Sequence, residues 1–116
     1  MDNFKENFSF EKRKNEATKV LNKYPGKIPV VVTSRDSSLK LDKNKYLVPR
    51  ELTSAQFLFV IRKRIVNGFH PEKALFISVC NQIVPGRICM FDIYEQYKDP
   101  DLFLYINVFE ENTFGS

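Results

Sequence analysis

Few side chains in this 116-residue sequence are of the types that reactions need. Cys80 and Cys89 are its two thiols, and His70 is its single imidazole. A cysteine nucleophile requires a positioned base, and no spacing brings His70, a loop residue beside Pro71, near either thiol. The cysteines match neither a Cys-x-x-Cys pair nor zinc-ligand spacing. Cys80 closes an apolar run and reads as a buried structural thiol. With no phosphate-cradling glycine loop and no metal-ligating cluster, the chain is not expected to be an enzyme. No cofactor or metal is expected either. What remains is Gly115, between Phe114 and Ser116. Taken alone, a Gly-Ser ending carries little.

The elements that would position these groups fit one domain. A content of 43% hydrophobic residues, with 11 Phe and 5 Tyr in place of Trp, is enough for one core. The net charge of +4 favours acidic partners or anionic lipid, although a merely solvated basic surface fits equally. It does not demand nucleic acid, and no nucleic-acid module is recognisable. Apolar runs such as 57–61 and 102–106 fall far short of the roughly 20 residues that span a bilayer. The opening residues lack the apolar stretch of a signal peptide. The unmodified chain is therefore expected in the cytoplasm.

Residues 1–9 suggest one loose helical turn. A helix over 10–23 follows, with Ser9 as N-cap. Phe10, Ala17, Val20, Leu21 and Tyr24 form its apolar face, and Pro25-Gly26 stops it. The β-branched run 28–33 reads as a buried strand, and 34–38 as a turn. A strand over 43–48 ends at Pro49, which has no N–H to donate. Thr53-Ser54-Ala55-Gln56 has capping-box spacing. The helix it starts should turn Phe57, Val60, Ile61 and Ile65 inward, with Arg62, Lys63 and Arg64 near its C-terminus. A strand over 74–80, a turn at Pro85-Gly86, a short helix over 90–97 and a strand over 102–109 complete the order. The domain reading is an N-terminal helical extension (1–24), a core (25–110) and an exposed tail (111–116). This order gives a mixed α/β roll.

Several strings fall in a familiar order: Phe10-Glu11-Lys12-Arg13, Lys23-Tyr24-Pro25, Ile28-Pro29-Val30-Val31-Val32, Lys45-Tyr46-Leu47-Val48-Pro49, Gln56-Phe57, Ile61-Arg62-Lys63-Arg64, Phe103-Leu104-Tyr105 and Phe114-Gly115. Together they resemble the ubiquitin-like autophagy modifiers, the GABARAP and microtubule-associated light-chain-three family. The resemblance implies an α+β, β-grasp (ubiquitin-like) sheet wrapped on a central helix, with extra N-terminal helices. Gly26 and the stretch 80–91 depart from the family pattern, as do the lengths of the turns at 34–42 and 66–73. These departures bear on partner preference rather than on the core.

The strand over 43–48 carries lysines of the kind that protect a sheet edge, and such an edge can accept an extended peptide as an added strand. The resemblance implies peptides of autophagy receptors, with an aromatic residue, two spacers and an aliphatic residue, often preceded by acids. Carried over by position, Glu16, Val20, Pro29, Val31, Lys45, Leu47 and Phe103 would receive the aromatic residue. Tyr46, Val48, Pro49, Leu52, Phe57, Val60 and Arg64 would receive the aliphatic one. Lys43 and Lys45 would attract the upstream acids. Phe57 and Val31 read equally well as plain core, and Lys45 and Arg64 as solvated charges.

The resemblance also implies terminal chemistry. A processing cysteine protease removes Ser116, and activating and conjugating enzymes then join Gly115 to phosphatidylethanolamine on the autophagosome membrane. Lys12, Arg13, Lys14, Lys19 and Lys23 read first as a solvated face. Contact with acidic tubulin tails or anionic lipid is the sharper reading that the resemblance adds. An alternative from another class is an unconjugated trafficking or microtubule adaptor that uses the same groove and keeps Ser116.

Overall fold

Ser9 begins the long N-terminal helix as expected. In the computed structural model, which describes residues 4–34, 39–66 and 73–112, its side chain accepts the Lys12 N–H at 3.2 Å. That helix, α2 (Phe10–Lys23), follows a single turn, α1 (Phe4–Asn7). The chain continues through β1 (Lys27–Ser34), β2 (Lys45–Pro49), α3 (Ser54–Arg62) and β3 (Lys73–Val79). It ends with β4 (Gln82–Ile83), α4 (Met90–Tyr97) and β5 (Leu104–Asn112). The capping box at α3 forms in both directions: Thr53 Oγ1 accepts the Gln56 N–H at 3.2 Å, and Gln56 Oε1 accepts the Thr53 N–H at 2.9 Å. No helix among the described residues is long and apolar enough to cross a membrane.

The strands form one five-stranded sheet in the order β2-β1-β5-β3-β4. β1 and β5 lie parallel at its centre, and the other pairs are antiparallel. This mixed sheet with helices on both faces is the expected α+β architecture.

Strand alternation divides the apolar residues between two layers. Ile28, Val30 and Val32 of β1, Tyr46 and Val48 of β2, and Leu104, Ile106 and Val108 of β5 share one core with Phe57, Ile61, Met90 and Ile93 of α3 and α4. Val31 and Phe103 turn to the opposite face and pack with Phe4 and Ala17. Ala17 is fully buried, and its small side chain lets α2 lie close to the sheet.

Several expectations need correction. Phe10 and Tyr24 do not face the core; they are 44% and 38% exposed. Arg13 takes the buried place on α2 instead, donating from Nε to Asp101 Oδ2 at 3.0 Å and from Nη1 to the Lys5 and Phe8 carbonyls. Asp101 is fully buried and also accepts the Tyr105 hydroxyl and the Phe103 N–H. These bonds fasten both N-terminal helices to the start of β5. Val60 was expected inward but is exposed, because the buried stripe of α3 runs Ser54, Phe57, Ile61. Cys80 is exposed rather than buried. With Asn81 it forms the two-residue turn between β3 and β4, at φ 51° and 65°, the doubly left-handed geometry of a tight hairpin. Lys43 and Asn44 lie before β2 rather than within it. The last strand runs through Asn112, so residues 111 and 112, expected in the tail, pair with Ala74 and Lys73. His70, the turn residues 35–38 and the ending Phe114-Gly115-Ser116 lie outside the described residues.

Candidate functional site

Among the described residues β2 is the terminal strand of the sheet, bonded to β1 on one side only. Which backbone groups it leaves outward follows from the register. The Val32 N–H donates to the Asn44 carbonyl at 2.7 Å, and the Arg50 N–H donates to the Gly26 carbonyl at 3.0 Å. Between these two bonds, antiparallel alternation makes Val30–Tyr46 and Ile28–Val48 the bonded pairs. Pro29, which has no N–H, stands opposite Leu47 in a non-bonded pair. The N–H and C=O groups of Lys45 and Leu47 therefore point away from β1. They form a short open ladder of the kind an added strand completes.

Side chains along this edge alternate between the two faces, and the residues named for the aromatic guest meet on the α2 face. Pro29, Val31 and Phe103 are buried there and form its floor. Leu47 remains 37% exposed. Lys45 Nζ holds Glu16 Oε2 at 2.8 Å, so the two charges stand together above that floor. Val20 is half-buried, and with Glu16 it also lines a shallow depression of about 480 Å3 along α2.

Residue-by-residue reading missed Phe4. Its ring is buried, meets Phe103 edge-on at 5.0 Å between centroids, and lies 5.0 Å beneath Lys45 Nζ. The N-terminal turn thus supplies part of the same wall. Its signal was weak: with Phe8 it is one of two aromatics in an otherwise polar opening segment.

On the other face, Tyr46, Val48 and Phe57 belong to the main core. Tyr46 and Phe57 meet edge-on at 5.5 Å. For Phe57, and for Val31 on the opposite face, the plain core role is the observed one; each is 1% exposed. The accessible residues on this side are half-buried Pro49 and Leu52, exposed Val60, and Arg64, which pairs with Asp42 at 3.7 Å. The Tyr46 hydroxyl donates to the Lys43 carbonyl at 2.8 Å. Burial pushes the Tyr46 phenol up to about 12, with Asp42 adding to the shift and Arg64 opposing it. Tyr46 therefore acts as a neutral donor that fixes the turn into β2.

Cys80 sits at a hairpin tip, and the Cys89 thiol donates to the Arg50 carbonyl at 2.9 Å. Groups of three or more metal-ligating side chains do not occur among the described residues.

Residues 12–115 match the family model described as "Autophagy protein Atg8 ubiquitin like". The chain is 50% identical to Autophagy-related protein 8 of Schizosaccharomyces pombe, over 97% of this chain and 93% of that one. It is 49% identical to the protein of the same name from Coccidioides immitis, over 97% of each. The crystal structure of Trypanosoma brucei ATG8 superposes with a TM-score of 0.87 at 38% identity, covering 99% of both chains. Plasmodium falciparum Atg8, solved in complex with a Plasmodium falciparum Atg3 peptide, superposes with a TM-score of 0.81 at 33% identity over 93% of this chain and 95% of that one.

Proposed function

Because this chain belongs to the Atg8 family of ubiquitin-like autophagy proteins, we propose that it is a conjugated modifier that carries a peptide-docking edge to a membrane. It acts in autophagosome formation and is not itself a catalyst. A cysteine protease cleaves after Gly115 and releases Ser116. An activating enzyme adenylates the freed glycyl carboxylate with ATP, releasing pyrophosphate, and its cysteine thiolate then captures the acyl group as a thioester while AMP leaves. From a conjugating enzyme the acyl group passes to the amine of phosphatidylethanolamine, forming an amide as the thiolate leaves. At about 0.8 kcal/mol per buried CH₂, two acyl chains hold the protein on the bilayer where one would be marginal. The chain is cytoplasmic before this step and resides on the autophagosome membrane after it.

One observation carries the docking half of the reading: the outward N–H and C=O groups of Lys45 and Leu47 on a terminal strand. Receptor peptides add there as a further strand. Their aromatic residue goes to the side of Pro29, Val31, Leu47 and Phe103, and their aliphatic residue to Pro49, Leu52 and Val60. Upstream acids meet Lys43 and Lys45. That a relative is solved in complex with a peptide supports peptide binding by this chain.

Replacing Gly115 with Ala separates the modifier from an unconjugated adaptor. The modifier should lose its membrane-bound puncta, and the adaptor should keep its distribution. Intact mass measurement of membrane-bound protein is expected to find a lipid-bearing chain lacking Ser116. A membrane-bound chain that still ends in Ser116 would contradict the proposal.

A further inference from the structure

At the downstream end of β2 a cleft of about 340 Å3 opens between the start of β1 and α4. Lys27, Arg50 and Lys98 line it, against one carboxylate, Glu95. Lys98 already holds that carboxylate, at 3.4 Å. Lys27 and Arg50 have no carboxylate partner among the described residues.

Arg50 is the telling member. It is half-buried, and its guanidinium lies 3.8 Å over the Phe91 ring. Stacking on an aromatic face restrains the plane of the guanidinium fork, so its donors are preorganised. A partly desolvated cation with no counter-charge is costly. An anion from outside the chain would complete it.

The register ties this cleft to the docking edge. Lys27 stands opposite Pro49, the last residue of β2, and the Arg50 N–H is bonded to the Gly26 carbonyl. Lys43 and Lys45 mark the other end of the edge. A peptide whose acids precede its aromatic residue begins at Lys43 and runs toward Arg50. At about 3.3 Å per residue, the positions two to four past its aliphatic anchor lie beyond Pro49.

We propose that Lys27, Arg50 and Lys98 form a downstream acidic subsite, which takes Asp or Glu carboxylates following the aliphatic anchor of a peptide docked along β2. The subsite rests on the docking reading above. It makes the edge a clamp with positive charge at both ends, and it selects peptides acidic on both sides of the motif.

The test titrates the full chain calorimetrically with two peptides. One carries upstream acids and the aromatic-x-x-aliphatic motif; the second adds three glutamates after a two-residue spacer. A third peptide with glutamines in those places controls for length. The glutamate peptide is expected to bind about three- to tenfold tighter than the glutamine control, the worth of one or two partly exposed charge pairs. Added salt should shrink the gain. Arg50→Gln and Lys27→Gln should each reduce the gain and together abolish it, leaving the short peptide's affinity unchanged. Equal binding of glutamate and glutamine peptides, or a gain that survives both substitutions, would overturn the subsite while leaving the docking edge intact. Failure of even the short peptide to bind would overturn the docking reading and the subsite with it. Loss of binding to phosphatidylserine vesicles in Arg50→Gln, without any peptide gain in the parent chain, would assign the cleft to lipid and overturn the proposal.

Discussion

Replacing Leu47 with Ala should weaken peptide docking and leave the fold standing. Leu47 is 37% exposed in the free chain. A fully buried leucine contributes about 1.5–3 kcal/mol, so the part still in water has about 0.5–1 kcal/mol to gain when a peptide covers it. Loss of contact with the aromatic guest adds to this, giving a fall in affinity of about three- to tenfold. Adding Lys45→Glu breaks the pair with Glu16, whose groups are 47% and 42% exposed. So exposed a pair contributes at most about 1 kcal/mol to stability. The new carboxylate would nevertheless oppose the acids upstream in the peptide, and the double variant should lose about 1–3 kcal/mol of binding. Phe57→Ala is the contrast: at 1% exposure it should cost the fold about 3–5 kcal/mol. Calorimetric titration reads the first effect, and urea unfolding reads the second. Unchanged affinity in the double variant would refute the reasoning. So would a loss of stability at Leu47 as large as that at Phe57, since Leu47 would then be core.

Arg13→Ala leaves the fully buried Asp101 carboxylate without its cation, and urea unfolding should register a loss of about 3–5 kcal/mol; a loss under 1 kcal/mol would place the anchor elsewhere. The Tyr46 phenol ionises near 12 in the folded chain against an ordinary value of 10.0. Its contribution to stability is therefore complete below pH 10 and lost as the pH rises toward 12. Alkaline unfolding monitored by circular dichroism should shift in Tyr46→Phe, which removes that titration. Phe4→Ala should open the aromatic side of the edge, since Phe4 packs against Phe103 beneath Lys45. Its peptide affinity should change by more than twofold, whereas Phe10→Ala, on an exposed ring, should leave it unaltered.

Local signals were legible where they act locally. Ser9, the Thr53–Gln56 box and Pro25-Gly26 act through bonds within a few residues, and both long helices begin where the pattern predicts; α2 also stops there, whereas α3 ends at Arg62, before Ile65, which instead bridges to Leu41. Alternation in β1 was masked because both of its faces are covered, leaving an unbroken apolar run. That β1 lies parallel to β5, and that β2 is left at the margin, depend on partners far apart in the chain. Arg13 looked like one more solvated cation between Lys12 and Lys14. Only the fold brings it to Asp101, in a segment that reads as a turn. Cys80 was misplaced because its apolar neighbours suggested a longer strand, where the chain instead reverses with two residues at positive φ. Lys45 and Leu47 were legible as edge residues through resemblance, but the outward direction of their amides required the register around Pro29. Arg50 carried no signal until its ring partner, Phe91, came beside it.

Amide hydrogen exchange resolved residue by residue, with and without an acidic aromatic-x-x-aliphatic peptide, tests the open ladder itself. Lys45 and Leu47 amides should exchange rapidly in the free chain and become protected on binding, while Tyr46 and Val48 stay protected throughout. Peptide binding that leaves Lys45 and Leu47 as labile as before would mean that the guest does not join the sheet.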